Sequence, residues 1–278
     1  MNTLQRIASV LVAVALSVTF VAAGLAVCVL PPLTRGLAGA YATEDLSPFG
    51  REQLVRAADA ERDFSFGSHD ALALYGTVYA INAEYRDEAL AAGRVLPAGF
   101  PRLDVVQDAS NLDQLRAAFA GASEQFCLSG DAVSHLDDCY AVFSRAVPVL
   151  VAVAAIAIVG LVWIGRSCGA HALGSVLLGA GAVVVLVFAT FGVWALVDFF
   201  GFFTVFHQLL FSQGNWQFAY DSLLICSLPT EFWMGMGVAW LATTLVASVA
   251  SVVVGLILRR RSSQRRTQGN HQPMHLLR

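Results

Sequence analysis

The chain contains 278 residues, of which 57% are hydrophobic and 13% are charged, and its mean hydropathy is +0.65. Since an average soluble domain carries about 25% charged residues, this composition excludes an ordinary water-soluble protein. The formal net charge of −3 averages a basic part and an acidic part of the chain. It therefore gives no reason to expect nucleic acid as a partner.

Four segments each hold 18 or more residues without Asp, Glu, Lys or Arg: residues 7–30, 147–165, 172–197 and 233–258. That is the length a helix needs to cross about 30 Å of hydrocarbon. A cleaved signal peptide is the alternative for the first segment, but its apolar core would be only about 7–15 residues long. The sequence predicts a mainly α-helical integral membrane protein with four transmembrane helices.

The arginines predict the orientation of these helices. Arginine supplies every fixed positive side-chain charge, and five arginines follow the fourth segment at 259–261 and 265–266. Arg166 lies in the short turn between the second and third segments. Because positive residues near helix ends stay in the cytoplasm, both termini and this turn are predicted to be inside. All 20 acidic residues then fall outside.

This orientation predicts a multi-pass membrane protein with a defined order of parts. The order is a cytoplasmic N-terminus at 1–6, a first span at 7–30, an extracytoplasmic domain at 31–146, a second span at 147–165, a cytoplasmic turn at 166–171, a third span at 172–197, an outer interfacial helix and loop at 198–232, a fourth span at 233–258, and a basic cytoplasmic tail at 259–278.

The extracytoplasmic domain has mostly helical composition. Helical patterns cover residues 47–63, 70–92 and 111–119, although 75–79 would also suit a strand, and 96–101 reads as a loop. Cys127 and Cys139 both lie outside, where a disulfide can form. A continuous helix between them would hold them about 18 Å apart, too far to bond, whereas a break at Gly130 would allow the bond. Both possibilities stay open.

A histidine approaches the outer membrane surface from each of the two outer segments. Ser134 followed by Asp137 is typical of a helix start, and this helix would run into the second span, carrying His135 about three turns above the hydrocarbon. Asp198 ends the third apolar run, and the aromatic stretch after it predicts a helix at 199–212 lying in the interface. His207 then lies at the depth of lipid ester bonds.

Two neighbouring imidazoles can act as base and acid on an acyl ester without a metal or other cofactor. Each histidine alone would more often be a packed amphipathic side chain. Zinc held by both histidines and Asp138 is a further alternative, but a closed zinc site needs four ligands. The remaining histidines, at positions 69, 171, 271 and 275, have no sequence neighbours that suggest chemistry.

These motifs resemble one known family. They are Ser134-His135-Leu136-Asp137-Asp138 before the second span, and Asp198-Phe199, Phe206-His207 and Asn215-Trp216-Gln217-Phe218 after the third. The pattern resembles the bacterial lipoprotein intramolecular transacylase family, chiefly between Ser134 and Trp233. Two departures are Cys139, where the family tends to have valine, and Ala219, where it tends to have aspartate.

The resemblance implies transfer of the sn-2 acyl chain of a diacylglyceryl-cysteine to the α-amino group of that cysteine, giving a lyso-form lipoprotein. Its substrates are diacylglyceryl-modified lipoprotein N-termini in membrane lipid. The implied catalytic pair is His135 and His207. Supporting or substrate-binding roles are expected for five residues: Asp138, which would fix the tautomer of His135, Asn215 or Trp216, which would donate to the oxyanion, and Asp198 and Phe218.

A non-catalytic membrane protein whose outer domain binds a ligand or partner protein is the alternative from another functional class. The two hypotheses differ in geometry. Imidazoles more than about 10 Å apart, with no groove open to lipid between them, would count against catalysis, allowing for closure on the substrate, whereas a binding protein has no such requirement.

Overall fold

The structure, a computed structural model, describes residues 1–211 and 214–270, with side chains described through residue 264. Residue 212, the last of the predicted interfacial helix, lies outside the described residues, as do His271 and His275. In the described ranges the fold is helical, with no strand. The α-helices are α1 (Thr3–Cys28), α2 (Pro31–Tyr41), α3 (Arg51–Phe66), α4 (Ala71–Ala91), α5 (Leu112–Phe119), α6 (Gly130–Ser167), α7 (Gly169–Val197), α8 (Phe199–Leu210), α9 (Leu223–Ser227) and α10 (Thr230–Asn270).

Four of these helices are long enough and apolar enough to cross a membrane. They are α1, α6, α7 and α10 among the described residues, so the predicted mainly helical fold with four candidate spans is confirmed. The helices extend beyond the predicted apolar runs, and a single residue, Cys168, separates α6 from α7. Gly169 adopts a φ of 81° there, a conformation that favours glycine and permits this abrupt reversal.

The chain divides into two compact units. The membrane unit comprises residues 1–27, 147–199 and 239 onward, and the acidic unit comprises residues 28–146 and 200–238. The acidic unit carries every Asp and Glu except Asp198. It includes the first turns of α6, up to Ala146.

Small residues let the helices of the membrane unit approach closely. A Cβ atom on Gly174 would lie 2.7 Å from the carbonyl oxygen of Gly255, and one on Gly181 would lie 2.4 Å from that of Ser248. Hydrogen bonds also join these helices: Ser251 Oγ donates to the Leu177 carbonyl at 2.9 Å. In an apolar solvent, where hydrophobic association is weak, such close packing and interhelical hydrogen bonds hold helices together.

The acidic unit has its own hydrophobic core, to which α2, α3, α4, α9 and the start of α6 contribute. Its largest fully buried apolar side chains include Phe49, Leu54, Ile81 and Phe126. The strand alternative for residues 75–79 is wrong, because they lie inside α4. The Asp70 carboxylate caps α4 by accepting from the backbone N–H groups of residues 72 and 73.

The helix start predicted at Ser134 is also wrong. The helix α6 begins at Gly130, where the Ser129 hydroxyl accepts from the Ala132 N–H at 3.3 Å. Ser134 therefore lies inside the helix, and its hydroxyl is available to a partner elsewhere in the unit.

The disulfide considered between Cys127 and Cys139 is not formed. Both cysteines are described, and both thiols are free. The Cys127 sulfur lies 3.4 Å from the Ser123 carbonyl oxygen in the loop before α6. Cys139 lies inside α6, with its sulfur 3.8 Å from Nε2 of His135. Each thiol thus faces its own neighbours and not the other thiol.

One carboxyl group is fully buried in the acidic unit. Glu61 on α3 is 1% exposed, and its Oε2 atom lies 2.7 Å from the Ser227 hydroxyl of α9. Burial raises the pKa of Glu61 from 4.5 to about 8, and the Ser227 hydrogen bond opposes this rise only in part. Glu61 is therefore protonated at neutral pH.

We predict that Glu61→Gln weakens the dependence of stability on pH. The unfolded chain loses this proton near pH 4.5, whereas the folded protein keeps it to about pH 8. The folded state binds more protons between these values, so stability falls as pH rises through this window. Glutamine keeps a hydrogen-bond partner for Ser227 but cannot ionise.

Thermal unfolding of the detergent-solubilised protein from pH 5 to pH 8 measures this effect. The melting temperature of Glu61→Gln should fall less over this range than that of the parent. The exposed Glu88→Gln serves as the matched control and should follow the parent. If the melting temperatures of all three proteins changed with pH in parallel, this would contradict a protonated Glu61 in the folded protein.

Candidate active site

The structure brings His135 and His207 together inside the acidic unit, although they are far apart in the sequence. Their ring centroids lie 6.0 Å apart, and the ring planes meet at 28°. His135 comes from the second turn of α6 and His207 from the last turns of α8. The separation is well below the distance of about 10 Å that would count against catalysis.

Helix α8 turns His207 inward and its apolar residues outward. His207 is the buried side chain of this fully described helix and is 8% exposed. Val205 and Leu209, on the opposite face, are by contrast 39% and 80% exposed. An imidazole is thus buried on one face of a helix whose other face is apolar and uncovered within the protein.

Aromatic rings surround the two imidazoles. The Phe211 ring contacts both of them, with centroid distances of 4.7 Å to His135 and 5.7 Å to His207. Phe203 lies 3.9 Å and Trp216 4.9 Å from His207, and Phe218 lies 5.9 Å from His135. The predicted site residues Trp216 and Phe218 therefore belong to this cluster, as covers for one imidazole each.

A glycine lets the loop after α8 reach these positions. Gly214 adopts a φ of 76°, in the left-handed region that favours glycine. The chain then continues as Asn215–Phe218 along the two histidines. A residue with a Cβ atom at position 214 would strain this backbone.

The hydrogen bond of His207 identifies its reactive nitrogen. Its Nδ1 atom lies 2.8 Å from the Phe203 carbonyl oxygen. A carbonyl oxygen only accepts, so Nδ1 carries the proton and the neutral ring has its lone pair on Nε2. His207 is thus held in the tautomer that can accept a proton through Nε2.

His135 has a different set of neighbours. Its Nε2 atom lies 3.8 Å from the Cys139 sulfur, one turn later in α6. Its Nδ1 atom is buried and has no hydrogen-bond partner among the described residues. Burial raises the pKa of the Cys139 thiol to about 12, so the thiol keeps its proton.

Both imidazoles are held neutral by their surroundings. The pKa of His135 is lowered from 6.5 to about 4, chiefly by burial and also by the nearby His207, while Asp138 opposes the shift. Burial likewise lowers the pKa of His207, opposed by its bond to the Phe203 carbonyl. A desolvated pair of neutral imidazoles can take up and give protons at neutral pH.

Asn215 links the loop to α6. Its Nδ2 group donates to the Ser134 hydroxyl and to the Asp138 carboxylate, at 3.3 Å in each case. Among the described residues, Nδ1 of His135 has no hydrogen-bond partner, so the role of Asp138 in fixing the tautomer of His135 stays a prediction. The effect of Asp138 on His135 is electrostatic.

Asp198 differs from the other predicted site residues. It follows the last residue of α7, and its backbone N–H donates to the Trp194 carbonyl at 2.8 Å. It belongs to the membrane unit, whereas both histidines belong to the acidic unit. A role for Asp198 at the site stays a prediction, as does a donor role for the Trp216 indole.

No group of three or more His, Cys, Asp or Glu side chains is placed to hold a metal ion in the part of the chain that the structure describes. The third member of the considered zinc site, Asp138, is turned toward Asn215. The carboxylate of the adjacent Asp137 faces a different partner, 3.3 Å from Nε2 of His69.

Several residues at or near the site were not predicted from the sequence. Phe203 and Phe211 looked like ordinary interfacial aromatics, and their contacts with His207 arise from helical spacing of four residues. His69 was given no partners, yet its ring stacks on Tyr140 at 3.8 Å as well as contacting Asp137. Helical spacing could have identified the aromatic pair, but no local pattern signals the distant His69.

The comparisons with known proteins concern the family and the fold. The family described as "Lipoprotein intramolecular transacylase Lit" matches residues 108–233, a little under half of the chain. The resemblance to this family is confirmed, and the matched region holds both histidines and the loop that covers them. It begins 26 residues before Ser134, so it reaches further into the acidic unit than expected. No protein of curated function matches the sequence.

Solved structures of a bacterial membrane protein have a similar fold. One is the in meso structure of the membrane integral lipoprotein intramolecular transacylase Lit from Bacillus cereus, with a TM-score of 0.67 and 16% identity over 95% of this chain and 100% of the other. Two variants of that protein, with one histidine changed to arginine or alanine, match with TM-scores of 0.60 and 17% identity over 94% of this chain and 95% and 96% of theirs. At these identities the likeness concerns the fold.

We predict that Phe211→Ala raises the pKa of both histidines toward 6.5. The smaller side chain would admit water to both rings and weaken the desolvation that lowers these pKa values. NMR titration of ¹⁵N-labelled imidazoles in the solubilised protein measures them. In the parent, His135 should titrate near pH 4.

Phe66→Ala is the matched control, because Phe66 packs edge-on against Phe143, away from the pair. It should leave both titrations unchanged. Parent histidines that titrate near 6.5 would show that water already reaches the site.

Proposed function

We propose that this chain, which matches the lipoprotein intramolecular transacylase family over residues 108–233, is a membrane acyltransferase. It moves the sn-2 acyl chain of a diacylglyceryl-modified lipoprotein to the α-amino group of its N-terminal cysteine. The product is a lyso-form lipoprotein. One observation carries the proposal: two neutral imidazoles lie 6.0 Å apart under aromatic cover, and one of them has a fixed base tautomer.

In the proposed mechanism His207 is the base. The Phe203 carbonyl holds Nδ1–H, so Nε2 is free to remove a proton from the substrate amine. An α-amino group has a pKa of about 7.7–8.0, so at neutral pH much of it is protonated and cannot attack. The imidazolium formed on His207 keeps its bond to the carbonyl, which stabilises the charge.

His135 is proposed to serve the oxygen side of the reaction. The freed amine attacks the sn-2 carbonyl carbon, and the new C–N bond gives a tetrahedral intermediate with a negative oxygen. A neutral His135 donates a hydrogen bond to this oxygen. The C–O bond to glycerol then breaks, the amine nitrogen loses its second proton, and the departing alkoxide gains one.

Two features support His207 as the base and His135 as the donor to the oxyanion. The amine nitrogen and both ester oxygens are bonded to one carbon in the intermediate, so imidazoles 6.0 Å apart can contact different atoms of it. Both reacting groups also belong to one substrate molecule, so proximity supplies much of the acceleration. The protein needs to orient them, move protons and stabilise the oxyanion.

The proposed substrate is a membrane lipid derivative, and α8 suits that environment. Its exposed apolar side chains Val205 and Leu209 are each two residues from the buried His207, so they lie on the opposite side of the helix. We propose that this face contacts the outer leaflet, with both termini in the cytoplasm of a bacterial cell. Such a helix brings His207 to the depth of acyl esters.

The alternative is a membrane protein whose outer unit only binds a partner. Such a protein requires neither a fixed tautomer of His207 nor the exclusion of water from both imidazoles. Glutamine could replace either histidine in such a protein without loss of function. In the proposed enzyme it could not, because glutamine does not exchange protons near neutral pH.

We predict that His135→Gln and His207→Gln each lower the rate of acyl transfer by about 10²–10⁴, the usual contribution of general acid–base catalysis. Mass spectrometry of the N-terminal peptide of a lipoprotein measures the transfer, in cells expressing the parent or each variant. The parent should yield a peptide with one acyl chain on nitrogen and one on oxygen.

His171→Gln, at the start of α7, is the matched control and should behave as the parent does. Diacylglyceryl peptides that stay unchanged in the presence of well-folded parent protein would refute the transacylase and favour the binding protein. Full transfer by either catalytic variant would refute the two-histidine mechanism.

We also predict the sidedness of the two units. A cysteine introduced as Val95→Cys, at a position that is 92% exposed in the acidic unit, should react with a membrane-impermeant maleimide in intact cells, above the background of the parent. Ser263→Cys, within the basic tail, should react only after permeabilisation. The reverse pattern would invert the proposed topology.

A further inference from the structure

Asn215 holds a buried hydrogen-bond acceptor that nothing in the described protein satisfies. Its Oδ1 atom is buried and has no partner among the described residues. Its Nδ2 group, in contrast, donates to both the Ser134 hydroxyl and the Asp138 carboxylate. Buried polar atoms are almost always paired, so an unpaired acceptor beside a reactive pair suggests a ligand that supplies a donor.

The orientation of this amide follows from the chemistry of its neighbours. An ionised carboxylate only accepts hydrogen bonds, so the group that faces Asp138 must be the NH₂ group of Asn215. Both amide hydrogens are then used, one for Asp138 and one for the Ser134 hydroxyl. Asn215 can therefore offer an acceptor to a substrate but no donor, and its predicted donation to the oxyanion is not available.

The surroundings place this acceptor near the base. Asn215 precedes Trp216, whose ring lies 4.9 Å from His207, and it contacts Ser134, the residue before His135. The carboxylate of Asp138 adds a negative charge on the same side. An acceptor with a negative charge behind it favours a cationic N–H donor, and neutral imidazoles do not repel such a cation.

We propose that Asn215 Oδ1 accepts a hydrogen bond from the α-ammonium group of the substrate cysteine and holds it toward Nε2 of His207. Asp138 acts through Asn215 by fixing the direction of the amide. This inference rests on the proposed transacylase function and names the group that binds the amine. Asn215 then binds the amine nitrogen of the substrate at one end of the site, and His135 contacts the ester oxygen at the other end.

A charge-conserving exchange tests the acceptor. The purified full-length protein is assayed in detergent with a synthetic diacylglyceryl lipopeptide, as parent, Asn215→Asp, Asp138→Asn, and both together. In Asn215→Asp a carboxylate replaces the amide and repels the Asp138 carboxylate. In Asp138→Asn no carboxylate fixes the direction of the Asn215 amide, so the amide can flip. Each single variant should lower the initial rate at least tenfold.

The double variant should recover most of that loss. Asn at 138 would donate to Asp at 215, whose second oxygen would again face the amine. If Asn215 instead donated to the oxyanion, a carboxylate there would repel it, and the double variant would be slower than either single variant. No recovery in the double variant overturns the proposal.

A second measurement does not depend on these variants. Two unreactive competitors, in which ethers replace the esters, differ only in a free or an acetylated α-amino group. The parent should bind the free amine at least tenfold more tightly, and Asn215→Ala should lose this preference while Gln217→Ala, at an exposed neighbouring position, keeps it. Equal inhibition of the parent by both competitors overturns the proposal.

The outcomes separate this inference from the function itself. A parent that transfers no acyl chain refutes the transacylase. A parent that is active, with an Asn215→Ala variant that keeps both its rate and its amine preference, refutes only the role of Asn215.

Discussion

The hydrogen bond between Nδ1 of His207 and the Phe203 carbonyl is the contact on which the proposed chemistry depends. It lies within one turn of α8, so it forms as soon as the helix forms and needs no distant partner. A helical carbonyl oxygen has a second lone pair that can accept the imidazole N–H. The bond fixes both the direction of the ring and the nitrogen that carries the lone pair. Without it, His207 would be a buried polar side chain among aromatics, with no defined base.

The aromatic cover has a consequence for charge. Dry surroundings lower the pKa of both imidazoles, and the proximity of His207 lowers that of His135 further, so the two rings cannot both be charged at neutral pH. The same dryness opposes the entry of a substrate ammonium. Asn215 and the Asp138 carboxylate behind it offset the desolvation of this ammonium, because they provide the polar contact that a cation needs. A site without these two groups would favour the neutral amine, which is the minor form of the substrate at neutral pH.

The sequence predicted features that depend on local composition. Uninterrupted apolar runs identified the four spans, because the hydrocarbon thickness sets their length independently of neighbouring helices. It failed where a pattern has two structural meanings: Ser134 with Asp137 is typical of a helix start, but the same spacing inside α6 places Ser134 where Asn215 can reach it. The two histidines were paired by their expected depth, whereas the direction of the Asn215 amide depends on a carboxylate 77 residues away. No local pattern carries that information.

Helix geometry explains how one short stretch serves three purposes. Residues four apart on an α-helix differ by only about 40° around the axis, and residues three apart by about 60°. Residues 134–140 therefore form three pairs on three faces: Ser134 with Asp138, His135 with Cys139, and Asp137 with Tyr140. The first face holds Asn215, the second faces the other imidazole at His207, and the third holds the ring of His69. The adjacent carboxylates of this stretch are thus no catalytic pair. One orients the loop over the site, and the other ties α6 to the turn before α4, so the position of His135 is set from two sides at once.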